Sequence, residues 1–220
     1  ALTKAMTKGR FAGKAGQSLL IAAPSGVDAD SVLLIGAGDK AKLDDLAVEA
    51  FGGSAYGAVK LSGAEVLTID ASDLTPEQAA RVGFAARLAA YRFDKYRTTQ
   101  KADKIASITT VRIATTDLRG AEAALEPLSA VADGVIFARD LVSEPANVLY
   151  PAEFAKRVKA LESLGLEVEI LGEAEMETLG MRTLLAVGQG SRRESQLAVI
   201  QWKGGEAGAP PPGLLGAGVF

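Results

Sequence analysis

"RDLVSEPANVLYP", residues 139–151, joins a charged helix end to a Glu-Pro turn, an asparagine and a second proline. Proline fixes its own φ, lacks an N–H and pushes the preceding residue out of the helical region. A helix arriving at residue 139 is therefore expected to stop before Pro145. Pro151 suits the first position of the next helix, and Glu153, at the third, favours the positive end of its dipole. Asn147 is of a type that hydrogen-bonds turn backbone. The stretch reads as a junction between two structural units.

On its C-terminal side, Phe154, Val158 and Leu161 mark the buried face of the new helix, and Gly165 stops it. "LEVEIL" (166–171) alternates like a strand, and "EAEMETLG" (173–180) is a short helix closed by Gly180. "QLAVIQWKG" (196–204) is a strand, and "GGEAGAPPPG" (204–213) is an exposed turn. "LLGAGVF" (214–220) begins as another strand.

On the N-terminal side, "RGAEAALEPLSAVADGVIFARDLVS" (119–143) is mostly helical, with Pro127 marking a kink or a restart. "ASITTVRIAT" (106–115) is a strand. "TPEQAARVGFAARLAAYRFDKYRT" (75–98) is the clearest helix: Thr75 caps, Pro76 fills the first turn and Gln78 completes a capping box. Phe84, Leu88 and Tyr91 fall at i, i+4 and i+7, so Leu88 is expected on its buried stripe. "AEVLTID" (64–70) is a strand, and residues 42–63 form a helix whose weak point is the Gly52-Gly53 pair. "SLLIAAP" (18–24) and "SVLLIGAG" (31–38) are short buried strands. Strands alternating with helices predict α/β architecture with a mainly parallel sheet.

Composition narrows the chemistry. The 220 residues are 48% hydrophobic and 23% charged, as in a globular protein of one large or two small domains. A net charge of −3 gives no global basic field for nucleic acid or an anionic membrane. No apolar run is long enough for a membrane span. The start, "ALTKAMTKGRFAGK", lacks Met and the apolar core of a signal peptide, so the chain reads as entered partway. Absence of Cys fits a reducing cytoplasm. With neither Cys nor His, thiol nucleophiles, Ser-His-Asp triads and His-ligated zinc are excluded.

Four constellations have two readings each. "GAG" (36–38) follows a strand but has Ala41 where a nucleotide loop needs its third glycine, so a tight strand-to-loop turn is favoured. "GQGS" (188–191) with Arg192 and Arg193 could hold an anion, but reads better as a solvated loop. "YRFDKYRT" (91–98) mixes aromatics with cations, as single-stranded nucleic-acid sites do. The favoured reading continues the preceding helix, with Arg92, Asp94, Lys95 and Arg97 as its polar face. Glu173, Glu175 and Glu177 are too few and too local for a carboxylate metal site, and read as a charged helix start.

"RDLVSEPANVLYPAEFAKRV" (139–158), "LGLEVEILGEAEMETLGMRTLLAVGQGS" (164–191) and "YRFDKYRT" together resemble the leucine aminopeptidases, the cytosolic di-metal exopeptidases. The similarity covers nearly the whole chain, with three separated motifs in the family's order. Ser143 stands where the family has the Asn of NEPAN, and Tyr150 where it has Thr. The resemblance implies an N-terminal macro-like α/β domain over 1–135, a linker helix and junction over 136–150, and a truncated start of an α/β catalytic domain over 151–220.

The resemblance also implies function. The family uses two divalent metal ions, Mn or Zn, held by carboxylates and a lysine, to activate water against the N-terminal peptide bond. Those residues begin in the family where this chain reads "LLGAGVF". Ala217 stands at the ligand lysine, and the first ligand aspartate lies past Phe220. No catalytic, cofactor-binding or metal-ligating residue is therefore assigned here, and the 220 residues alone are expected to be inactive and to bind no metal. The chain is expected to be an internal piece of a protein about twice as long, lacking the family's first strand. The parent is expected to be a cytoplasmic homo-hexamer acting on peptides, leucine-like N-termini preferred, with no membrane or nucleic-acid partner. The alternatives are a stand-alone macro-like module for nucleotide-derived ligands and a DNA-binding regulatory member of the family.

Overall fold

A computed structural model describes residues 2–205. The expectations for residues 206–220, including the end of the exposed turn, the strand at 214–220 and Ala217, lie outside the described residues. The chain divides into two compact units, the first through Ala138 and the second from Arg139.

The first unit is built from α1 (Leu2–Lys8), β1 (Ser18–Ala22), β2 (Ser31–Ile35), α2 (Asp45–Val59), β3 (Val66–Asp70), α3 (Pro76–Ala90) and β4 (Thr110–Ala114), with most of α4 (Leu118–Ser143). Local chemistry starts its helices. Asp44 accepts a hydrogen bond from the Ala47 N–H at 2.8 Å and so caps α2. At α3 the capping box forms: the Thr75 hydroxyl accepts from the Gln78 N–H at 3.3 Å, and Gln78 Oε1 accepts from the Thr75 N–H at 3.2 Å.

The core lies between α2, α3 and the strands. Val48, Ala55, Tyr56, Val59, Ile69, Val82, Ala86 and Ile108 form one buried cluster. Gly52 lets the two helices meet. A Cβ added there would stand 2.4 Å from the Val82 carbonyl oxygen, inside van der Waals contact. Arg81 ties the same helices by ion pairs to Asp45 and Glu49, each at 2.7 Å.

Of the expected stripe on α3, Phe84 is buried, whereas Leu88 and Tyr91 are only half-buried. Ala79, Val82 and Ala86 are the deeply buried positions, with Val82 and Ala86 at 0% exposure. A close helix–helix approach selects small side chains, and a pattern of alanines carries little hydrophobic contrast. Helix α3 also ends at Ala90 rather than running to residue 98. Tyr91 has ψ 135°, outside the helix region. The Arg92 guanidinium then binds the Gln100 side-chain oxygen, the Lys104 carbonyl at 2.9 Å and Asp94 at 3.2 Å, which holds residues 91–104 as a loop.

The α/β class holds, but the pairings are mixed. Strands β3 and β4 are parallel, with Val66 opposite Thr110. Strands β1 and β2 are antiparallel, with Ser18 opposite Ile35. In the second unit β5 (Glu167–Leu171) and β6 (Leu197–Gln201) are also antiparallel. The expected mainly parallel sheet is thus corrected to one parallel and two antiparallel pairs among the described residues. The 8-residue link from Ala22 to Ser31 permits a hairpin, which alternation of element types does not reveal.

Helix α4 runs unbroken from Leu118 to Ser143 with Pro127 inside it, so Pro127 does not restart it, and residues 136–143 are its last two turns. Pro145 lies outside helix. Its carbonyl accepts from the Val148 and Leu149 N–H groups, both at 2.9 Å, closing the turn through backbone rather than through Asn147. Helix α5 (Pro151–Lys159) begins at Pro151, with Tyr150 as its N-cap. A short 3-10 turn over Ala160–Leu164 follows, and Gly165, at φ +84°, ends it. Ala155 and Val158 form the buried face of α5, with Phe154 and Leu161 half-buried. Helices α6 (Glu173–Thr178) and α7 (Arg182–Gly188) complete the second unit, where Met176 is fully buried.

Arg157 fixes the turn to α5. Its Nε donates to Glu153 at 3.0 Å and its Nη2 to Glu144 at 3.3 Å. The Glu144 side chain is only 3% exposed. The hydrogen bond to Glu153, and then the Glu144 contact, hold the guanidinium above its ordinary pKa against the opposing effect of desolvation.

Two predictions test this packing. Gly52→Ala should destabilise the protein by about 1–3 kcal/mol through overpacking, whereas Gly53→Ala, whose Cβ would meet Ala89 at 3.9 Å, should stabilise it by about 0.5–1 kcal/mol. Chemical denaturation measures both, and equal effects at the two positions would contradict the close approach. Arg157→Ala should cost roughly 1.5–3 kcal/mol, the range for hydrogen bonds to charged groups, and Arg157→Lys should recover only part, since an ammonium lacks the two-pronged geometry. Full recovery by lysine in thermal unfolding would contradict the role assigned to the fork.

Candidate functional site

The residues singled out by sequence do not converge on one centre. Each has a local role that its neighbours explain. The "GAG" turn is set by contact with backbone: a Cβ at Gly36 would stand 2.1 Å from the Lys14 carbonyl oxygen. The Gly36 N–H donates to the Gln17 carbonyl at 2.7 Å, and its own carbonyl accepts from the Gly16 N–H at 3.1 Å. The turn thus belongs to backbone pairing with residues 13–17.

Ala37 of that turn also borders a small cavity of about 130 Å³. Its rim includes Asp70, the last residue of β3, with Ser72 and Asp73 just beyond it, at the carboxyl end where parallel α/β sheets bind ligands. Leu43, Val48 and Phe51 supply an apolar side. The Asp70 carboxylate accepts from the Ser72 hydroxyl at 2.6 Å and its N–H at 3.0 Å, which holds its pKa below the usual value. The carboxylate is spent on its own turn, and the space is below the few hundred Å³ of ligand pockets.

In the second unit, Glu175 accepts from the Gly172 N–H at 3.0 Å and so caps α6 from its third position. Glu173 accepts from the Ser195 N–H at 2.8 Å, tying α6 to the segment before β6. These carboxylates hold backbone. Residues 188–193 form the end of α7 and a loop. The Arg193 guanidinium lies over the Tyr150 ring, 3.7 Å from its centroid, so it is stacked on the α5 N-cap rather than paired with Arg192 around an anion. Neither the 22-residue reach of Glu173 nor this stacking is visible to periodicity; only the Gly172-to-Glu175 spacing was a legible cap signal.

"YRFDKYRT" is the constellation that moves furthest from its reading. It leaves the helix and lines a hollow of about 390 Å³ with Lys60 and Lys104. Phe93 and Tyr96 meet edge to face with centroids 5.8 Å apart. Lys95 lies 5.3 Å from the Tyr96 centroid.

Among the described residues no group of three or more acidic side chains could hold a metal ion. The donors described therefore do not fit the two metals implied by the resemblance. Among the same residues no helix is long and apolar enough to cross a membrane.

Comparison with known proteins gives a consistent result. Residues 1–100 match the profile of the cytosol aminopeptidase family, N-terminal domain, and residues 136–220 that of the cytosol aminopeptidase family, catalytic domain. A probable cytosol aminopeptidase of Caulobacter vibrioides is 54% identical over 220 residues, covering 100% of this chain and 44% of the relative. Its counterpart in Sinorhizobium fredii is 45% identical over 225 residues, covering 99% and 45%. The chain thus spans less than half the length of these relatives. Among solved structures, the bottromycin maturation enzyme BotP in complex with Mn superposes with TM-score 0.74 at 27% identity, over 89% of this chain and 41% of that one. A mutant of tomato leucine aminopeptidase gives TM-score 0.74 at 26% identity, over 88% and 39%. These likenesses lend no support to a stand-alone macro-like module or a DNA-binding regulator. Two profiles of one family, matched in order on either side of residues 101–135 and joined by relatives that align end to end with this sequence, show that the chain belongs to the cytosol aminopeptidase family.

Proposed function

We propose that this chain forms part of a metal-dependent aminopeptidase that releases N-terminal residues, preferentially leucine-like, from peptides. The observation that carries the reading is the ordered pair of domain matches, N-terminal over 1–100 and catalytic over 136–220. The working division is an N-terminal domain over 1–135, a junction over 136–150 and the opening of a catalytic domain over 151–220. The division agrees with a helix that ends at Ser143 and another that begins at Pro151.

Within this reading the residues of the chain act as scaffold and as contacts between subunits of a homo-hexamer in the cytoplasm. In the complete site of the longer protein two divalent ions, Mn or Zn, would supply the activated water. The Mn named with BotP supports a divalent ion without deciding between the two. Within this reading no residue of the chain takes a catalytic or metal-binding role; among the described residues no group of three or more acidic side chains is placed to hold a metal ion.

The test compares residues 1–220 with the longer protein that contains them, using leucine p-nitroanilide and added Mn or Zn. The longer protein should turn over the substrate, lose activity to a chelator and regain it with metal. Residues 1–220 should do neither. Turnover by residues 1–220 with tight binding of two metals would contradict the assignment, as would a longer protein inert toward every N-terminal amide tried.

A further inference from the structure

The hollow beside residues 91–104 is not absorbed by the aminopeptidase reading. Four cations, Lys60, Arg92, Arg97 and Lys104, line its volume of about 390 Å³, and no carboxylate does. This runs against a chain that carries 27 acidic residues to 24 basic ones. Arg92 is paired with Asp94, and Lys104 loosely with Asp103; the cations that remain around one hollow repel one another, an arrangement favoured by an anion that joins them.

The wall is built rather than incidental. Arg92 is spent internally on Asp94, Gln100 and the Lys104 carbonyl, and Gln100 Nε2 also donates to that carbonyl at 2.6 Å. These bonds shape the loop and leave the other cations toward the hollow. Lys104 has only a loose pairing with Asp103, at 3.8 Å, and among the described residues neither Lys60 nor Arg97 has an acidic partner. The Lys60 backbone is anchored by the Ser107 N–H, which donates to its carbonyl at 2.8 Å. Aromatic and apolar surface completes the lining, from Tyr56, which is 3% exposed, and from Tyr91, Phe93 and Leu61.

Helices α2 and α3 both end here, and cations favour the negative end of a helix dipole. Arg97 and Lys104 lie beyond the last turn of either helix, outside the range of that effect, and one terminal carbonyl of each helix already has a backbone donor. Lys60 N–H donates to Tyr56 O at 3.0 Å, and Tyr91 N–H to Leu88 O at 3.4 Å. Capping alone therefore does not account for the cluster.

We propose that this hollow binds a small organic phosphate, its phosphate on Lys60, Arg97 and Lys104 and its flat or apolar part against Tyr91 and Phe93. The volume is within the range of small-molecule pockets, and guanidinium and ammonium groups match a phosphate's charge and acceptors.

The experiment titrates phenyl phosphate, and separately inorganic phosphate, into the intact protein by calorimetry at low ionic strength. Lys60→Gln/Arg97→Gln is compared with Lys8→Gln, a change on α1 away from the hollow, and folding is checked by circular dichroism. Phenyl phosphate should bind with a dissociation constant on the order of 1 mM or below. The double variant should weaken it at least about tenfold, the worth of one lost charge-assisted contact. Lys8→Gln should leave it unchanged, and inorganic phosphate should bind more weakly. No binding, or equal binding by the double variant, would overturn the site. Inorganic phosphate binding as tightly as phenyl phosphate would overturn the assignment to an organic phosphate. A fall in melting temperature of the double variant, with no binding by the unaltered protein, would show cations that serve the helix ends alone.

Discussion

The approach of α2 to α3 at Gly52 is the constraint on which the first unit depends. The Val82 carbonyl occupies the space that any side chain at residue 52 would need. Everything adjacent follows from that distance. Small residues, Ala55 on one helix and Ala79 and Ala86 on the other, take the buried positions, and Val48, Val82 and Ile69 fill what remains. Tyr56 reaches past the contact to become nearly fully buried, and Arg81 closes the outer edge with two carboxylates of α2. Helix pairs that approach this closely gain dispersion contacts that larger residues would hold apart.

The second unit rests on a different device, a set of punctuation residues in a short length of chain. Pro145 ends one run of helix, Pro151 opens the next, and Gly165 turns the backbone into β5. Arg157 makes the turn and α5 one object by holding Glu144 and Glu153 together. Tyr150 adds a contact from the far side, under the Arg193 guanidinium. Tyr150 is thus both the N-cap of α5 and the platform for residues 188–193, although it offers no capping hydrogen bond from its side chain.

Features set by neighbours in sequence were legible. The Thr75–Gln78 capping box, the breaks at Pro145 and Pro151 and the stops at Gly165 and Gly180 all follow from the conformational limits of those residues. Features set across space were not. Leu88 looked like core because leucine carries hydrophobic weight, but the helix contact selected Val82 and alanines. Residues 91–98 looked helical because nothing in them breaks a helix; the loop is enforced by Arg92 reaching Gln100 and Lys104. The hairpin of β1 and β2 was hidden because element type does not state pairing direction. For the site, motif order identified the family, while the donors its chemistry requires are not gathered among the described residues.

The central claim, that the α2–α3 contact is the foundation of the first unit, is tested most directly by native-state hydrogen exchange. Amides inside α2 and α3, around Ala55 and Val82, should be the last in residues 2–138 to exchange and should open together. Those of the β1–β2 hairpin, which is half exposed along both strands, should exchange through smaller openings. Slowest exchange in the hairpin, or separate opening free energies for the two helices, would contradict the account.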